Sequence, residues 1–179
     1  LEKVLGGKVR IEDISWGLLK GLWLEVDGFE ISGASALPMD FKVSRIYAAV
    51  SLPSLLKKKI VLNHVRLESP DVQWRLQPAT QQPPGAKDPN AGEKPRGIAL
   101  PVEIEDLWVT KGRIRKEDSL TLPGRETKRD FLDIELKASN LAPGREMRFD
   151  FSMKDAAVPG VGELRAHGTF AGLTNSLTS

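Results

Sequence analysis

The sequence predicts a mainly β protein built as a train of hairpins in an elongated sheet, and three observations predict it. Apolar and polar residues alternate at period two from just after Gly7 almost to the end of the chain, the signature of half-buried strands. Only one internal segment has helical character, and a hairpin-like pattern recurs three times. The bulk properties agree. With 179 residues, 40% of them hydrophobic and 28% charged, the chain is long enough to bury a core without staples. It has no Cys, so disulfide frameworks, thiolate metal sites and Cys nucleophiles are excluded. A net charge of +2 lacks the basic footprint of a nucleic-acid binder, and nucleic acid is not an expected partner.

Leu1, Val4 and Leu5 sit at helical spacing before Gly6-Gly7, which reads as the last turn of a helix over residues 1–5 that begins upstream. Val9 and Ile11 then alternate with Arg10 and Glu12. Leu22, Leu24 and Val26 alternate with Trp23, Glu25 and Asp27. Gly28 interrupts this run and predicts a bulge that re-aims Phe29 and Ile31. Ile46, Ala48 and Val50 form the next row. The stretch 51–57, with Ser51 as N-cap and Pro53 in the first turn, is the one helical segment. Ile60 and Leu62 change phase at Asn63-His64 and continue as Val65 and Leu67, and Val72, Trp74 and Leu76 complete the first half.

From Gln77 to Gly97 there is no large apolar residue, and this Pro/Gly-rich stretch reads as a mobile linker. Strands resume at Val102–Ile104, Leu107–Val109 and Ile114. After a second polar loop near Pro123-Gly124 come Leu132, Ile134, Leu136 and Ala138, then Met147, Phe149, Phe151 and Met153, then Leu164 and Ala166. The total is about nine strands. The repeat aligns Leu62 to Leu67, Pro70 and Val72 with Ile104 to Val109, Gly112 and Ile114, and a third copy starts at Ile11 and runs to Trp23. Each copy reads as a strand, a turn at Pro or Gly, and a return strand.

Chemical constellations are scarce. The two imidazoles, His64 and His167, have no partner at a recognised spacing, and there is no phosphate-binding loop, HExxH or GxSxG. Ser54 and Lys57 match SxxK by letter alone, without the accompanying boxes, so Ser54 reads as part of a helix start. Glu12-Asp13 and Glu105-Asp106 occupy equivalent repeat positions, which suits residues before a bend better than catalytic or calcium-binding carboxylates. No enzymatic activity, metal or cofactor is expected. Lys57, Lys58 and Lys59 are candidates for contact with a membrane surface, against the plainer role of a solvated helix end. Trp16, Trp23, Trp74 and Trp108 fall near strand ends or at outward positions, where cross-strand packing is the common use.

So much one-sided apolar surface with so little helix poses a covering problem. The sheet closes on itself as a sandwich or barrel, pairs with another chain, or forms a trough filled by an apolar ligand. Composition does not choose among these.

One resemblance does. Leu5-Gly6-Gly7-Lys8-Val9, Ile14-Ser15-Trp16-Gly17, Gly21-Leu22-Trp23-Leu24, Phe29-Glu30-Ile31 and Ser51-Leu52-Pro53-Ser54-Leu55-Leu56 together resemble the N-terminal module of the AsmA-like proteins, relatives of TamB and YhdP. Lys59-Ile60-Val61-Leu62, Val65-Arg66-Leu67-Glu68-Ser69-Pro70 and Val72-Gln73-Trp74-Arg75 continue the likeness. It covers residues 5–78 well and is looser afterwards, dividing the chain into an N-terminal module (1–78), a loop (79–97) and a continuation of the same sheet (98–179). The resemblance implies a curved, largely antiparallel, taco-like sheet with an open groove. It implies a periplasmic location, attachment to the inner membrane by an anchor upstream, and transport of phospholipid between inner and outer membrane in outer-membrane biogenesis. The residues expected to line the groove against acyl chains are Leu24, Val26, Ile46, Val50, Leu62, Leu67, Val72, Leu132, Ile134, Leu136, Phe149 and Phe151. The alternative is a non-enzymatic envelope scaffold that closes into a sandwich and binds a protein partner through its sheet edges.

Overall fold

Period-two alternation commits most of the chain to a sheet. In the computed structural model, which describes residues 8–18, 21–32, 39–76, 102–118, 127–157 and 162–171, 81% of those residues are strand and 4% helix. The elements are β1 (Lys8–Arg10), β2 (Asp13–Gly17), β3 (Leu22–Ser32), β4 (Met39–Val50), α1 (Leu52–Leu56), β5 (Ile60–Glu68), β6 (Asp71–Leu76), β7 (Val102–Asp118), β8 (Thr127–Leu141), β9 (Glu146–Asp155) and β10 (Glu163–Ala171). All ten strands belong to one sheet, in the order β1-β3-β4-β5-β7-β8-β9-β10, with β2 also on β3 and β6 between β4 and β7. Since β1 and β2 share one position and β5 and β6 another, the ten strands fill eight positions, about 34 Å across. The expected helix end at residues 1–5, the linker 77–97 and the loop at Pro123-Gly124 lie outside the described residues.

The repeat turns out to be a register. β5 and β6 run parallel to β7 with Leu62 beside Ile104, His64 beside Asp106 and Val72 beside Ile114, the same pairs that the sequence aligns. Every other pairing is antiparallel. The reading of Pro70 and Gly112 as hairpin turns is thereby corrected. β5 and β6 keep one direction along β4, and β7 passes through Gly112 without reversing. The reason lies one residue earlier, where Ser69 (φ 51°) and Lys111 (φ 54°) adopt left-handed backbone. A single such residue inside a strand inserts an extra position and shifts the alternation; it does not turn the chain round. Backbone bonds knit the two bends together, from Ser69 N–H to the Thr110 carbonyl (2.8 Å) and from Arg113 N–H to the Pro70 carbonyl (2.7 Å).

Gly28 (φ 62°) in β3 and Asp133 (φ 50°) in β8 repeat the device. Gly28 is thus one member of a line of bends crossing the sheet, and the expected bulge is corrected to a bend: β3 stays in unbroken register with β4, with no extra residue opposed there. Because neighbours bend together, register survives: Glu68 faces Thr110 and Asp71 faces Arg113, an offset of 42 residues on both sides. At Gly112 an added Cβ would meet Ile134 Cβ at 3.0 Å, so the two positions share one face. That contact links the apolar residues below the bend with those above it.

α1 is held by Ser54 and Leu55 N–H donating to the Ser51 carbonyl (3.2 Å each). Ser51 occupies the N-cap position, yet its hydroxyl caps nothing and accepts from the Ser54 hydroxyl at 2.9 Å. The sheet edges differ. The β1/β2 edge is short, interrupted at Ile11-Glu12 and charged at Lys8, Arg10 and Asp13, whereas β10 runs nine residues in unbroken register with β9 and contains neither Lys nor Pro.

Opposite substitutions at the bends are expected to act oppositely. Gly28→Ala places a side chain in left-handed backbone and against Glu12, and should lower stability by about 1–2 kcal/mol. Lys111→Gly relieves the same conformation at an exposed site and should raise stability by about 0.5–1 kcal/mol. Urea midpoints of the two variants check both signs.

Candidate functional site: the apolar face of the sheet

Register partners carry the apolar rows from strand to strand. One row runs Leu24, Ala48, Val65, Leu107, Ala138, Phe149 and Gly168 from β3 to β10. The next runs Val26, Ile46, Leu67, Val109, Leu136, Phe151 and Ala166 over the same strands. Leu22, Val50, Leu62, Ile104 and Leu141 form a third. Across the bend, Ile31, Phe41, Val72, Ile114 and Phe131 form a fourth. β2 extends the first two rows with Trp16 beside Leu24 and Ile14 beside Val26.

Eleven of the twelve residues expected to line a groove fall on this face: ten in the rows, and Ile134 against Gly112 between them. Leu132 does not join them. The left-handed residue Asp133 shifts the phase of β8, so Leu132 pairs with Lys154 while Phe131 stands opposite Ile114. Ala48, Val65, Leu107, Val109 and Ala138 complete the rows. The alternation already sets each of them in a strand row, and the cross-strand register joins them to the groove candidates.

The face has little cover. Among the described residues every strand lies in the one sheet, no pairing joins its β1/β2 edge to β10, and α1 packs on β5. A closed barrel is thus not formed by the described residues. Val43, Val65, Ile134 and Ala138 are buried within the face, but Leu24 is 39% exposed, Ile14 52% and Trp16 66%. Phe149 lies over Gly168, where an added Cβ would meet its ring at 3.3 Å. Such a face offers apolar contact along strands and across them. It has no group that makes or breaks a bond.

The opposite face is polar and carries a file of rings. Trp23 stacks on Tyr47 (centroids 6.4 Å apart), Tyr47 neighbours His64 (6.3 Å), His64 meets Trp108 edge-on (5.0 Å), and Lys137 Nζ sits 5.4 Å from the Trp108 ring. Two shallow depressions of about 310 and 300 Å³ lie on it, the first at Trp23, Glu25 and Tyr47 and the second at Trp108, Lys137, Arg148 and Asp150. Ion pairs tie neighbouring strands: Arg45 to Asp27 (2.9 Å) and Glu25 (3.3 Å), Arg115 to Asp71 (2.7 Å), Lys42 to Glu30 (2.9 Å), and Arg113 to Asp130. The hydrogen bond to Asp27, with the charges of Asp27 and Glu25, raises the Arg45 pKa, and the bond to Asp130 raises that of Arg113. These groups are exposed, so each pair contributes little to stability.

The remaining candidates disperse. His64 is a member of the ring file, and His167 is exposed opposite Asp150. The Glu12 side chain lies over Gly28, and Asp106 faces His64 and Ser139. Among the described residues no three acids or imidazoles converge on a metal-sized site, and no helix is long and apolar enough to cross a membrane. Lys57, Lys58 and Lys59 are exposed just after α1. No family model and no curated protein matches the chain.

One polar-face pair has a pH signature. Lys154 donates to Asp133 at 2.8 Å, and this bond raises its pKa above the ordinary lysine value of 10.5. The folded chain therefore holds that proton more tightly than the unfolded one. The stabilisation is complete below pH 10.5 and disappears as pH climbs through the raised folded value. Asp133→Asn is expected to flatten this strongly alkaline decline, read as urea midpoints between pH 8 and pH 12.

Proposed function

We propose that this chain is a non-enzymatic, lipid-carrying β-sheet of the AsmA-like type, taking part in phospholipid transport between inner and outer membrane. In this reading it stands in the periplasm, attached to the inner membrane by an anchor upstream, and acyl chains occupy the apolar face. The observation that carries the reading is the continuous apolar face over eight strand positions of a single sheet whose two edges do not pair with each other among the described residues. Leaving so much apolar surface in water is costly, which supports an apolar occupant. Acyl chains fit because the rows present Leu, Val, Ile and Phe with no charged residue among them, and nonspecific apolar contact holds a chain without fixing it. The resemblance of residues 5–78 to AsmA-like modules points to the same occupant.

A scaffold reading is favoured by a different observation, the regular β10 edge, where a partner strand can pair. Solvent extraction and native mass spectrometry of the purified chain separate the two. Stoichiometric diacyl lipid supports carriage; a lipid-free chain that crosslinks to a partner through β10 supports the scaffold. Leu24→Glu and Phe151→Glu place charge on partly exposed apolar positions, and each is expected to remain cooperatively folded with a stability loss under about 2 kcal/mol. Copurified lipid should fall to background in both. Lipid retained at wild-type level in both variants would overturn the reading.

A further inference from the structure

We infer that one rim of the sheet docks on an anionic bilayer surface. β2 ends at this rim, β3 begins there, β4 passes through α1 into β5, and β7 starts there. Six of the thirteen exposed large apolar side chains among the described residues gather here: Trp16 (66% exposed), Leu18 (59%), Leu52 (43%), Leu55 (38%), Leu56 (88%) and Val102 (47%). At the opposite rim only Trp74 and Leu164 among the described residues are comparable. α1 buries none of its own residues and so holds its leucines outward.

Charge selects the occupant. Lys57, Lys58 and Lys59 follow α1 directly and are all exposed, and no acidic residue occurs between Asp40 and Glu68. Leucines for the acyl boundary, a tryptophan for the headgroup level and a lysine cluster for anionic headgroups form the combination that holds a protein at a lipid surface without spanning it. An apolar protein groove would accept the leucines yet leave three lysines without a counter-charge. The inference does not rest on acyl chains occupying the apolar face; a chain whose face is sealed would dock in the same way.

Flotation of the full chain with vesicles tests it. With phosphatidylcholine and phosphatidylglycerol at three to one the chain is expected to float, and with phosphatidylcholine alone to stay behind. In 1 M salt, where screening acts within about 3 Å, binding should be lost. Each lysine near the surface is worth about a fivefold factor, so the combined Lys57→Ala, Lys58→Ala, Lys59→Ala variant should bind about a hundredfold more weakly. Leu56→Ser should cost about tenfold, and Lys128→Ala at the opposite rim should change nothing. Since α1 buries no residue, circular dichroism should show intact sheet in every variant. Wild-type chain that ignores anionic vesicles, or binds neutral ones equally, overturns the inference, as do rim variants that float like wild type. Variants that no longer float yet retain copurified lipid separate this surface from the lipid-carrying face.

Discussion

The structure depends on a matching condition: strands that cross the bend must change the face of their apolar residues at the same level, so that their register is kept. In a sheet with one apolar face, a slip of one residue moves every later side chain to the wrong side. Here Gly28, Ser69, Lys111 and Asp133 each supply a left-handed position, and the pairings of β3 with β4 and of β5/β6 with β7 continue undisturbed past the line. β9 takes no such residue. Its pairing with β8 slips between Leu132 and Glu135, the level at which Asp133 turns Leu132 out of the apolar rows. The price of the bend is backbone strain at three residues that are not glycine. What it preserves is a continuous face.

Much of this was legible in the sequence. Alternation located nearly every strand, and the cleanest runs, Leu132–Ala138 and Met147–Met153, fall within β8 and β9. Gly28 announced a break in the strand, which the structure makes a bend in unbroken register. Ser69 and Lys111 announced nothing: a serine or lysine in left-handed backbone looks like any polar residue, so Pro70 and Gly112 were read as turns. The repeat was detected and its meaning was not. Similar sequence 42 residues apart is compatible with two hairpins or with two parallel neighbours, and only the long connection after Leu76 permits the second. Leu132 illustrates the same limit at one residue. Its neighbours in sequence are apolar-face residues, and a single left-handed position puts it elsewhere.

The absence of catalytic motifs acquires a physical meaning in this architecture. Motif searches look for a few groups converging on a point, whereas the rows here are a surface property spread over eight strand positions, with no member more important than its neighbours. The polar face sets a contrast. Its cross-strand ion pairs and ring file tie adjacent strands from behind, so the apolar face need not supply all the lateral cohesion of the sheet.

The two edges give the sheet a direction. At β1 and β2, charge and an interruption discourage any further strand, so that side acts as a capped end. At β10, Leu164, Ala166, Gly168 and Phe170 continue the apolar alternation, and no described strand pairs with its outer side. A strand added there would prolong both faces at once in the same pattern. The two ends are therefore unequal: a strand added at β10 would widen the surface in kind, whereas the charged, interrupted β1/β2 end disfavours one.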